Sequence, residues 1–151
     1  MKTEAVQFVM ALMAMVLGGA AEELLPKVAQ VGFPVLMALS VFMAMRRNSP
    51  TAVLFAAAAG AMEDAISGLP AGTSPSFFLA VAALARWSDF PRGALLMAYP
   101  AYQGWLAVWA GGFHGGVFGR VLVAAPAGFV TALAVWSAMS WAERVAAVDE
   151  A

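Results

Sequence analysis

Two adjacent carboxylates, Glu63 and Asp64, interrupt a run from Thr51 to Gly68 that is otherwise almost wholly apolar or small. A charge held at bilayer depth costs on the order of 3 kcal/mol on insertion scales, so such residues face a protein interior and serve capping, packing or function. The same apolar character runs through the whole chain: of 151 residues, 63% are hydrophobic and 11% charged, with a mean hydropathy of +0.83. Water-soluble domains mix the two kinds far more evenly. The expected class is therefore an all-α, polytopic membrane protein, folded as one compact bundle of six transmembrane helices in contact with the lipid bilayer.

A hydrocarbon core of about 30 Å takes about 20 apolar residues per helix, and fewer where flanking polar groups snorkel. On that basis spans are expected over residues 5–25, 28–45, 51–67, 74–87, 93–110 and 121–141. Glu22, Glu23, Pro26 and Lys27 punctuate the end of the first, and Arg46 to Pro50 the end of the second. Ser74 is placed to cap the fourth and Pro75 to open it. Pro100 is a kink position in the fifth, and a glycine-rich loop from Gly111 to Gly119 precedes the sixth. Lys2, the apolar stretch behind it, Gly18 and Ala20 loosely imitate a secretory signal. Glu4 weakens the basic start and the apolar character resumes beyond the supposed cleavage site, so a retained span is expected. Six spans put both termini on one side. With that side cytoplasmic, Lys2, Arg46, Arg47, Arg86, Arg92 and Arg144 lie inside and only Lys27 and Arg120 outside, in accord with the positive-inside bias.

Several chemistries have no residues to carry them. Cysteine is absent, which removes disulfides, thiolate metal sites and cysteine nucleophiles. A net charge of -1 with scattered basic residues provides no stripe to follow a phosphate backbone, so no nucleic-acid partner is expected. His114 is the one histidine and sits in the glycine-rich loop, where a loop-packing role is favoured over metal binding, since a metal needs several ligands. No catalytic set, cofactor site or metal site is expected.

At helical spacing Ala52, Ala56, Gly60, Asp64 and Gly68 form a narrow stripe that would let another backbone approach closely, with Glu63 about 100° away. The two carboxylates are therefore expected to have different partners. Three roles stand open for Asp64: accepting hydrogen bonds from the turn between Gly68 and Ser74 or the start of the fourth helix, docking a partner, or handling a ligand or proton. Arg120 is the preferred ion-pair partner for Glu63 or Asp64, because it and Lys27 are the basic residues assigned to the same side. Glu22 and Glu23, at a span end, read as residues snorkelling into water. The small pairs Ala14 with Gly18 and Ala107 with Gly111 read as contacts inside the bundle.

The order of a basic stop after the second span, then Gly60, Asp64, Gly68, Pro70 and Gly72 running into a short fourth helix, resembles the rod shape-determining MreD family, as does Pro34 early in the second segment. The resemblance covers chiefly Val31 to Trp87. It implies a multi-pass component of the bacterial inner membrane, scaffolding an MreC-type bitopic protein and peptidoglycan synthesis in the cell-elongation machinery. It also implies a bundle related to the substrate-binding S-components of energy-coupling-factor transporters. The expected function is accordingly a non-enzymatic scaffold. The alternative is a substrate-capture subunit for a vitamin or small molecule, with an outward cavity lined by Glu63, Asp64, Tyr99, Tyr102, Gln103 and Trp105.

Overall fold

A computed structural model describes residues 2–25, 32–46, 49–87, 91–109 and 116–148. The described residues form six helices and no strand: α1 (Lys2–Leu24), α2 (Val35–Arg46), α3 (Ser49–Ser67), α4 (Thr73–Trp87), α5 (Pro91–Trp109) and α6 (Gly116–Val148).

Four of these fall close to the expected segments, and two do not. The second was expected from residue 28, yet residues 32–34 are not helical and α2 starts at Val35. The reason is Pro34, whose ring disfavours helical geometry at Phe33 and whose carbonyl accepts the first helical bond, from the Ala38 N–H at 3.0 Å. At about 1.5 Å per residue, the 12 residues of α2 reach only about 18 Å. The sixth helix was expected from Val121, but it begins at Gly116 and runs for 33 residues, so Gly116 to Arg120 are helical and not loop. Buried Val117 gives that extra turn an apolar anchor. Pro100 and Pro126 lie inside α5 and α6 without ending either helix. By length and composition, Gly116–Val145 of α6 is the one helix among the described residues long and apolar enough to cross a membrane.

Short α2 is the hub. Every residue from Leu36 to Ala44 is buried, and the helix packs against α1, α3, α4, α5 and α6. A helix enclosed on all sides has no polar face to present, which explains its unbroken apolar sequence. Its one polar core residue, Ser40, returns its hydroxyl to the Leu36 carbonyl at 2.8 Å. At its far end Phe42 meets Trp136 of α6 edge to face, with centroids 5.1 Å apart. The Arg46 guanidinium lies 5.7 Å above the Phe42 ring and 3.8 Å from the Glu143 carboxylate. Arg86 of α4 donates to the Ala44 carbonyl at 3.3 Å. The C-terminal ends of α2 and α4 thus lie beside the C-terminal part of α6 at one end of the bundle.

Small residues set how closely the helices approach. A Cβ on Gly60 would stand 2.5 Å from the Pro75 backbone, so α3 crosses α4 at a point where only glycine fits. Ala52, Ala56 and Asp64 on the same stripe are buried, whereas Gly68 is exposed in the following turn. Gly18 faces Leu36 and Leu39 of α2, and Gly19 abuts Met62 of α3. Both contacts lie inside the bundle. Gly111 lies outside the described residues.

The outer surface carries many large apolar side chains. On α1, Val9, Leu12, Met13, Val16 and Leu17 are between 47% and 63% exposed. Phe118, Leu122, Phe129, Val130 and Leu133 of α6 also face outward, while Asp64, Thr73, Ser74 and Thr131 are buried.

The Gly60 crossing has a direct test. Gly60→Ala should cost about 1–3 kcal/mol by overpacking, read as a lower unfolding midpoint in detergent. Gly104→Ala, where the added methyl meets nothing within 4 Å, should be neutral or stabilising by about 0.5–1 kcal/mol. Equal behaviour of the two variants would contradict the close crossing.

Candidate functional site

Asp64 ends one helix and starts the next. Its backbone carbonyl accepts the Leu69 N–H at 2.9 Å, the six-to-one bond of a Schellman motif, with Gly68 at φ 64° as the left-handed residue after the helix. Its carboxylate then reaches forward. Oδ2 accepts the Gly72 N–H at 2.8 Å, and Oδ1 accepts the Ser74 N–H at 2.9 Å. The first N–H groups of a helix have no internal partner, and an anion there also meets the favourable end of the helix dipole. Gly72, at φ 94°, turns the chain into place. Pro70 contributes its carbonyl, which accepts from the Thr73 hydroxyl at 2.7 Å.

Ser74 is therefore not the side-chain cap its position suggested. Its hydroxyl is buried and shares a 2.5 Å hydrogen bond with the Tyr102 hydroxyl of α5, and the longer reach of Asp64 supplies the cap. Trp105, one turn beyond, donates from Nε1 to the Thr73 carbonyl at 3.1 Å and meets Phe77 and Trp109 through its ring. These contacts clamp the start of α4 between α3 and α5.

Beside this turn lies a cavity of about 320 Å³. Glu22 and Glu23 of α1 form one wall, the Gly32–Pro34 entry to α2 another, and Glu63 with Ser67 of α3 a third. Tyr99, Tyr102 and Gln103 of α5 and Arg120 of α6 complete it, with Phe78 at its apolar side. Glu22 Oε1 accepts the Leu36 N–H at 2.7 Å, so it does for α2 what Asp64 does for α4. The Glu22 carboxyl lies beside the Glu63 carboxyl, and Glu63 accepts the Ser67 hydroxyl at 3.0 Å. Tyr99 donates to the Gly32 carbonyl at 2.8 Å, with Gln103 beside it.

The two carboxylates of the acidic pair thus have separate partners, as their angular offset requires. Their expected ion pair with Arg120 is not formed. Asp64 is occupied by backbone N–H groups, Glu63 by Ser67 and Glu22, and among the described residues the ion pair within 4.0 Å is Arg46–Glu143. Of the residues expected around a cavity, Glu63, Tyr99, Tyr102 and Gln103 line it, whereas Asp64 and Trp105 do not. Lys27, Phe113 and His114 lie outside the described residues.

Of the two acids expected to face water at the span end, Glu23 is exposed, whereas Glu22 is half-buried and bonded to the start of α2; both border the cavity. A signal for Glu22 exists in the sequence. Phe33-Pro34-Val35 has no Ser, Thr, Asp or Asn to cap the helix it opens, so an acceptor had to come from elsewhere. Among the described residues no three His, Asp or Glu side chains are grouped to hold a metal ion. No family model matches the chain, and neither a curated protein nor a solved structure does.

Removing the cap should show in stability. Asp64→Ala leaves two donors unmet at about 1–3 kcal/mol each, an expected loss of about 2–6 kcal/mol, with Asp64→Asn losing less because one acceptor remains. Arg120→Ala should unfold within about 0.5 kcal/mol of the parent. A stable Asp64→Ala protein beside an unfolded Arg120→Ala protein would reverse this assignment.

Proposed function

We propose that the chain is a six-span protein of the bacterial inner membrane with both termini cytoplasmic, serving as a non-enzymatic scaffold of the cell-elongation machinery. The membrane reading is supported by the outward apolar faces of α1 and α6 and by the sequestration of polar side chains inside the bundle. It is also supported by charge placement. Arg46 and Arg86 gather at one end near Glu143, while Glu22, Glu23 and Glu63 gather at the other.

One observation carries the scaffold reading. Gly60, Asp64, Gly68, Pro70 and Gly72, the residues on which the resemblance to the MreD family rests, all act on one feature, the α3–α4 turn. Gly60 permits the crossing, Asp64 caps, Gly68 and Gly72 adopt positive φ, and Pro70 anchors Thr73. A motif spent on building a rigid frame suits a protein that organises others through helix faces, with an MreC-type bitopic protein as the expected partner.

The cavity favours a second reading, a solute-capture subunit. Its volume of about 320 Å³ lies at the small end of the ~300–1,000 Å³ of ligand sites. It opens at the acidic end, the outer side in the proposed orientation. A screen of vitamins by thermal shift tests this reading, because a ligand at about 100 times its dissociation constant stabilises by about 2.7 kcal/mol.

The absence of cysteine makes the topology easy to map. Single cysteines at Ser67 and Ser140 should label from opposite sides of the membrane, Ser67 from outside. Labelling of both from one side would refute six spans. Affinity purification from native membranes should recover a bitopic cell-shape protein, and depletion should widen cells. Recovery of no such protein with unchanged cell width would refute the scaffold reading.

A further inference from the structure

We propose that the cavity is a binding site for a zwitterionic solute of amino-acid size, its ammonium group taken by the Glu63 side and its carboxylate by Arg120. This inference rests on the second reading above, that the cavity admits a solute, and it names the chemical class.

Opposite charges face the same cavity without meeting. Arg120 borders it together with Glu63, yet no ion pair within 4.0 Å joins them, and Arg120 makes no hydrogen bond among the described residues. A guanidinium presents five donors in a planar fork suited to a carboxylate. With no carboxylate of the described residues within 4.0 Å of it, that fork is available to a solute. Elsewhere in the lining, one Glu22 oxygen is committed to the α2 backbone. The Glu63 carboxyl, bound to Ser67 through one oxygen and touching Glu22, keeps acceptor capacity for an ammonium group.

The same lining carries aromatic rings. Tyr99 and Tyr102 are stacked with centroids 6.3 Å apart, and Phe78 stands 5.8 Å from Tyr102. A solute carrying only a cation would leave Arg120 unmatched, and one carrying only an anion would sit against carboxylates. A solute with both, and an aromatic or large aliphatic side chain between them, satisfies each wall at once. Sites that hydrogen-bond a polar group reject analogues lacking it by large factors, because the protein group is left unpaired.

L-phenylalanine, phenethylamine and 3-phenylpropionate share one ring and differ in charge. Calorimetric titration of the full chain in lipid nanodiscs should give phenylalanine a dissociation constant at least ten-fold below those of both analogues. Arg120→Gln should abolish the advantage of phenylalanine over phenethylamine, and Glu63→Gln its advantage over phenylpropionate. Circular dichroism of each variant checks that its helices are kept. The comparison of the three compounds on the unaltered chain needs no variant.

Phenethylamine binding as tightly as phenylalanine would overturn the zwitterion assignment and leave a cation-capture site standing. If none of the three binds while a vitamin in the thermal-shift screen does, the amino-acid assignment falls and the capture reading survives. If nothing in either set binds, both fall.

Discussion

A buried carboxylate that joins two helix ends is the contact on which the rest of the bundle depends. Asp64 is 5% exposed, and it closes α3 through its carbonyl while opening α4 through its side chain. A sharp reversal between two packed helices leaves the last C=O groups of one and the first N–H groups of the next without partners inside either helix. One residue answers both needs. The close crossing at Gly60 and the bond from Ser74 to Tyr102 then follow, because each requires α4 to start where Asp64 puts it.

The same device recurs one layer in. Helix α2 is too short and too enclosed to carry its own cap, and Glu22 of α1 supplies an acceptor to its first turn. Two helix starts are thus fixed by acids from other helices, and both lie at the same end of the molecule. Their gathering leaves a cavity at that end, part of whose lining, Glu22, Glu63 and Tyr99, is held by hydrogen bonds. The opposite end is built differently, with Arg46 held between Phe42 and Glu143.

Much of this is legible in the sequence, and the exceptions have physical causes. Apolar segments and the Gly68–Gly72 turn mark α1, α3, α4 and α5 closely, because glycine, proline and charge punctuate them. The start of α2 was misplaced because hydropathy continues through Val28 to Phe33 while Pro34 decides the geometry. The start of α6 was misplaced because glycine disfavours helix locally, by about 1 kcal/mol per residue, whereas burial of Val117 is a tertiary matter. Spacing foretold separate partners for Glu63 and Asp64. It could not reveal that Glu22, over 40 positions away in the chain, would meet Glu63, nor that Arg120 would face the carboxylates without pairing. Both depend on how α1 and α6 are placed around α2.

The central claim concerns two backbone amides, and hydrogen–deuterium exchange reads them directly. In the parent protein the Gly72 and Ser74 N–H groups should exchange as slowly as those inside α4, although both precede its first internal bonds. In Asp64→Asn at least one of the two should exchange at least ten-fold faster while amides in α2 keep their protection. Fast exchange of both in the parent, or no change on substitution, would contradict the account.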